Sequence, residues 1–187
     1  PQLSEEDKHW YPYFDFLITI FLRFENSFAF ILMVENFNFG LWVLVQLSAQ
    51  DLFKAYMECD PGDMAIYNAL IALPWCLKVI YGITSDSLPL FGLKRKPYLI
   101  FFAVLQFFVF FDLFYFDHES PVEVTLLLML GSFAMAFSNV VIDAIMVVQS
   151  RQDVDLGSQD LLSLAFLFQS VGGILGCLLA AIMTERF

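Results

Sequence analysis

LPWCLKVIYGITSDSLPLFGLKRKPYLI, residues Leu73 to Ile100, decides the fold. A greasy segment over residues 64–83 runs into a short polar hairpin that carries Asp86, Pro89, Gly92 and the cluster Lys94-Arg95-Lys96. A second greasy segment starts at Pro97. Long apolar runs on both sides of a basic turn read as two membrane-spanning helices. Lys and Arg beside a span resist translocation, so the turn belongs on the cytoplasmic side.

Working outward, a span needs about 20 apolar residues to cross the hydrocarbon core. Five segments qualify: 27–47, 64–83, 97–116, 122–148 and 161–184. Their connections alternate in character. Residues 51–63 and 117–121 are acidic, 85–96 is basic, and 149–160 is mixed with Arg151 its only cation. The alternation places the N-terminus, 85–96 and 149–160 on the cytoplasm-equivalent side, and leaves open which membrane is crossed. Residues 10–24, WYPYFDFLITIFLRF, are apolar but short and interrupted by Asp15. They read as a helix lying in the interface, with Trp10, Tyr11 and Tyr13 at headgroup level; a sixth span is the alternative. The expected organisation is a tail and interfacial helix over 1–26 and a bundle over 27–187. The start at Pro1 rather than Met, and the end at Phe187 in an apolar run, are expected of a trimmed piece.

Composition agrees. Hydrophobic residues make up 59% of the chain and charged ones 16%, with a mean hydropathy of +0.71. A soluble domain carries far more charge. A net charge of -11 argues against nucleic acid, whose phosphates require clustered Lys and Arg. Cys59, Cys76 and Cys177 form no CxxC pair, and His9 and His118 are isolated, so neither a metal nor a cofactor is expected. Cys76 and Cys177 read as small apolar packers. No nucleophile motif appears, and the glycines of GGILG follow no strand, which defeats a dinucleotide reading. The chain does not read as an enzyme.

Polar residues inside spans cost roughly 2.5–3.5 kcal/mol each on insertion scales when ionisable, so each needs a reason. Glu35, Asn38, Trp42 and Gln46 share one face of the first span. That face reads as a solute or proton pathway with Glu35 titrating, or as a hydrogen-bonded interface. Thr125, Ser132, Ala136, Asn139 and Asp143 form a stripe on the fourth span. Gln169, Gly173, Gly176 and Ala180 form one on the fifth, where tight packing is the stronger reading and Gln169 alone is a solute candidate. Lys78 and Asp143 each lie five residues before the inner end of a span. Opposite charges at equal depth predict an ion pair, with Lys78 snorkelling as the alternative. Asp86 is expected to pair with Lys94 or Arg95, or to accept from the start of the third span.

The order Gly82-x-x-x-Asp86 followed by Gly92-x-Lys94-Arg95-Lys96 resembles the loop between helices 2 and 3 of major facilitator transporters. The fuller pattern, LPW-x-x-K-x-x-YG-x-x-SD-x-x-P-x-FG-x-x-R-x-PYL, is similar to the folate–biopterin transporter family within that superfamily. NVVIDAIMVVQSR from Asn139 resembles its fourth-helix motif, and GSQDLLSLAFLFQSVGGILG from Gly157 the start of its fifth helix. The resemblance implies an all-α integral membrane fold. The chain's about five spans would then form an incomplete N-terminal half of a twelve-helix bundle. It also implies proton-coupled uptake of pteridines or folates, with Lys78, Gly82, Asp86, Gly92, Lys94, Arg95, Lys96 and Asp143 in structural or gating positions. The chain departs from the family pattern at Asn139 and Gln149, neutral where acids are expected, and at Phe39, where glutamine is expected. Its partners are then the bilayer and a second helical half, or other membrane subunits, covering the polar face. The alternative function is a transport-inactive subunit of a larger membrane complex.

Overall fold

The computed structural model describes residues 12–89, 95–151 and 156–186. All described elements are helical. They are α1 (Pro12–Arg23), α2 (Asn26–Asp51), a π turn (Leu52–Tyr56), α3 (Pro61–Ala72), a 3-10 turn (Leu73–Leu77), α4 (Lys78–Ser87), α5 (Lys96–Tyr115), α6 (Pro121–Ser150) and α7 (Gly157–Arg186). Pro61, Pro97 and Pro121 sit in the first turns of α3, α5 and α6, where a missing N–H costs no hydrogen bond. Among the described residues, five helical stretches are long and apolar enough to cross a membrane: Asn26–Tyr56, Pro61–Ser87, Lys96–Tyr115, Pro121–Ser150 and Gly157–Thr184. The chain is an all-α membrane protein.

The number of spans matches expectation, and their ends do not. Charge at Asp51, Lys54 and Glu58 suggests a turn from residue 51 onward, yet helix continues to Tyr56. Phe53 holds it there, fully buried, with its ring centroid 5.4 Å from that of Tyr67. The last span begins at Gly157, four residues before the expected Leu161. Asp160 in that first turn is favoured by the helix dipole and is paired to Arg23 at 2.8 Å.

α6 is the central helix. Its spanning window is 67% buried, against 17% for both Pro61–Ser87 and Gly157–Thr184. It contributes Ile142 to a cluster with Ile20, Leu32 and Leu164, and Leu128 and Met135 to one with Trp42 and Phe53. Phe137 joins a third with Tyr81, Tyr98 and Phe102. α1 lays Ile20, and the bend after it Phe24, onto the first of these clusters, at the end of the bundle where α2 starts. Trp10 and Tyr11 lie outside the described residues.

α2 and α7 meet backbone to backbone. A Cβ on Gly40 would collide with the Gln169 carbonyl, one on Gly172 with the Phe37 carbonyl, and one on Gly176 would stand 3.3 Å from the Leu44 nitrogen. The small-residue stripe of the last span is therefore a helix-packing device, and its partner is α2. Cys76 and Cys177 differ from expectation: among the described residues both are exposed rather than packed in the interior.

Candidate functional site

The site starts from a broken helix. Pro74 lacks an N–H to continue the α3 ladder, and residues Leu73–Leu77 wind as a 3-10 turn instead. The break presents Trp75 to the bundle interior. Its indole Nε1 donates to the fully buried Ser132 Oγ of α6 at 3.0 Å. The Phe39 ring lies 5.2 Å away, centroid to centroid. The Lys78 ammonium stands 4.6 Å from the Trp75 ring centroid, a cation–π arrangement.

Trp75 walls a cavity with two lobes. One, of about 310 Å³, lies between α2, α3 and α6 and is lined by Trp42, Gln46, Gln50, Asn68, Ile71 and Trp75 among others. The other, of about 550 Å³, runs from Phe39 of α2 to Gln169 and Ser170 of α7. Trp42, Gln46, Ala72 and Trp75 line both. Amides, hydroxyls and aromatic rings supply the polar and flat surfaces; no Asp, Glu, Lys, Arg or His is among the lining residues of either lobe.

The α2 face expected to be polar divides along its length. Gln46 reaches both lobes. Trp42 is buried and packs on Phe110, with ring centroids 6.2 Å apart. Asn38 donates from Nδ2 to Gln106 Oε1 of α5 at 3.2 Å. Glu35 faces the Ser138 hydroxyl of α6. Of the remaining solute candidates, Gln169 lines the larger lobe, whereas Asn139 accepts from Lys78 at 2.8 Å and lines neither lobe. Asn68, Gln106 and Ser170 were not legible as site residues. Gln106 could have been found, being the single amide in the phenylalanine-rich third span.

The expected Lys78–Asp143 ion pair does not form. Lys78 bonds to Asn139, one turn earlier, and Asp143 is exposed, sensing the Lys78 charge without direct contact. The neutral amide is the nearer partner and lets both charges stay partly hydrated. At the same end, Arg95 Nη2 meets Asp86 Oδ1 at 2.7 Å, and Arg95 Nη1 donates to the Ala144 carbonyl of α6 at 3.0 Å. Asp86 thus pairs as expected, with Arg95. Gly82 packs against Val140, and Lys96 opens α5. Gly92 and Lys94 lie outside the described residues. Among the described residues, no cluster of His, Cys, Asp and Glu could hold a metal ion.

A family model described as the BT1 family matches residues 40–187. The chain is 31% identical over 164 residues to "Probable folate-biopterin transporter 2" of Arabidopsis thaliana, covering 85% of this chain and 32% of that protein. It is 29% identical over 153 residues to "Folate transporter 1" of Plasmodium falciparum, covering 82% and 28%. It is 28% identical over 148 residues to "Folate-biopterin transporter" of Synechocystis, covering 79% and 30%. The chain therefore spans about a third of the length of these relatives. No solved structure gives a significant match.

Proposed function

The chain belongs to the BT1 family, and from that premise we propose that it supplies five spans of a transporter for folates or pteridines. The observation that carries this reading is the two-lobed cavity. Amides such as Gln46, Asn68 and Gln169 on membrane-spanning helices are costly unless something polar, water or solute, occupies the space they line. A bundle with a purely supporting role would gain more from apolar side chains filling the same volume.

The weakly buried spans fit the proposal. Pro61–Ser87 and Gly157–Thr184 flank the cavity and present most of their surface outward. Further helices laid against them, from the same protein or a partner, would close the lobes. The end that carries Arg95 and Lys96 faces the cytoplasm or its equivalent, since cations beside spans resist translocation. Glu35 is the proton-pathway candidate, as an intramembrane acid one turn from the lobe-lining Phe39.

The test is uptake of labelled folate and labelled pterin by vesicles containing the full-length protein. Uptake above that of empty vesicles is expected for at least one of them. Neither solute entering, with the protein folded and inserted, would leave the non-transporting subunit as the better reading.

A further inference from the structure

The lobes also say which part of a solute they fit. The inference rests on the transport reading, but its chemistry is local. The shared walls are aromatic, Trp42 and Trp75, with Phe39 added in the larger lobe. The polar groups are carboxamides and hydroxyls: Gln46, Gln50 and Asn68 on one side, Gln169 and Ser170 on the other. A carboxamide offers a donor and an acceptor side by side. That pattern complements the lactam and amidine edges of a nitrogen heterocycle.

A carboxylate fits badly. Buried without a cation, it loses its hydration and gains no charged partner. Lys78 stands beside the lobe-lining Trp75, but it is not itself among the lining residues. Its ammonium is tied to Asn139 and sits over the Trp75 ring. An apolar ring fits badly too, because it would leave the amides unpaired.

We propose that the lobes walled by Trp42 and Trp75 form a subsite for the uncharged, planar nitrogen-heteroaromatic ring of the solute, and that they hold none of its carboxylates. Gln46, the one amide common to both lobes, reads the ring edge. Any anionic tail is met by groups other than these lining residues.

The test separates ring from tail. Equilibrium binding to the purified full-length protein is measured with labelled pterin, a ring without a tail, and with labelled p-aminobenzoylglutamate, a carboxylated fragment without the pteridine. Gln46→Leu removes hydrogen bonding at similar volume. It is expected to weaken pterin binding about tenfold, the scale of one or two lost hydrogen bonds, and to change the carboxylated fragment by less than about twofold. Gln169→Leu, on the α7 side, is expected to act in the same direction. Equal losses for both probes, loss of the carboxylated fragment alone, or a wild-type protein that does not bind pterin would each overturn the subsite. Uptake measured in parallel keeps the two readings apart. Pterin bound through Gln46 but never moved would overturn transport and uphold the subsite. Folate moved by a protein whose pterin affinity ignores both substitutions would do the reverse.

Discussion

The ammonium of Lys78 donates to the amide oxygen of Asn139 across 2.8 Å, joining α4 to α6. Asp143, one turn further along α6, carries the opposite charge and is not the direct partner. A hydrogen bond to a charged group contributes about 1.5–3 kcal/mol, and an orphaned cation in a span costs more than the bond alone. Lys78→Met and Asn139→Leu are each expected to lower the melting temperature of the reconstituted bundle. Together they should lose less than the sum, with a coupling of roughly 1–2 kcal/mol. Lys78→Met combined with Asp143→Asn should be closer to additive. Thermal melts of the three single variants and the two doubles decide it; stronger coupling to Asp143 than to Asn139 would refute the assignment.

Gly172 is expected to tolerate nothing larger. A Cβ there meets the Phe37 carbonyl, which is backbone and cannot swing aside. Overpacking of this kind costs about 1–3 kcal/mol, and here it would pry α7 from α2. Gly62 is the control, since a Cβ at that position meets nothing within 4 Å. Gly62→Ala, near the start of α3, should be neutral or slightly stabilising. Equal melting temperatures for Gly172→Ala and the parent would show that the two helices separate without cost.

Much of this architecture is legible in the sequence. Five apolar runs give five spans because hydrophobic length is a direct reading of bilayer thickness. Asp86 and Arg95 were legible as partners because a short turn holds them close. The span ends were not, since Phe53 anchors helix through a charged stretch by a contact with Tyr67 that lies in another element. The role of Trp75 was hidden for a similar reason. Pro74 marks a break in a helix, but only the position of Ser132 on α6 shows which way the indole turns. Equal depth suggested Asp143 for Lys78, but depth alone says nothing of rotation about the helix axis, and rotation favours Asn139.

The two ends of the bundle give a topology test. α1, the Asp86–Arg95 pair and the start of α7 share one end, and the basic residues there predict the cytoplasmic face. Ser87 is exposed at that end. With Cys59, Cys76 and Cys177 replaced, a cysteine at Ser87 is expected to react with a membrane-impermeant maleimide only from the side on which an N-terminal tag is cleaved. Labelling from the face opposite the tag would place an odd number of crossings before residue 87, and tag cleavage and labelling together on the outer face would invert the orientation.

Glu35 bears on coupling to protons. Its carboxyl lies within the Asn26–Tyr56 span and faces the Ser138 hydroxyl rather than a basic side chain. It is one turn from Phe39, which lines the larger lobe. An intramembrane acid that is not held by a cation can gain and lose a proton as the cavity opens to either side. Glu35→Gln keeps the shape and a hydrogen-bonding end but cannot exchange a proton at that site. If Glu35 carries the coupling, the variant should fold, bind pterin as the parent does, and lose most of the difference in uptake between acidic and neutral medium. The measurement is the ratio of initial uptake rates at the two pH values, with binding and melting temperature as controls. An unchanged ratio would remove Glu35 from the mechanism, and an unfolded Glu35→Gln protein would assign the carboxyl to the α2–α6 interface through Ser138.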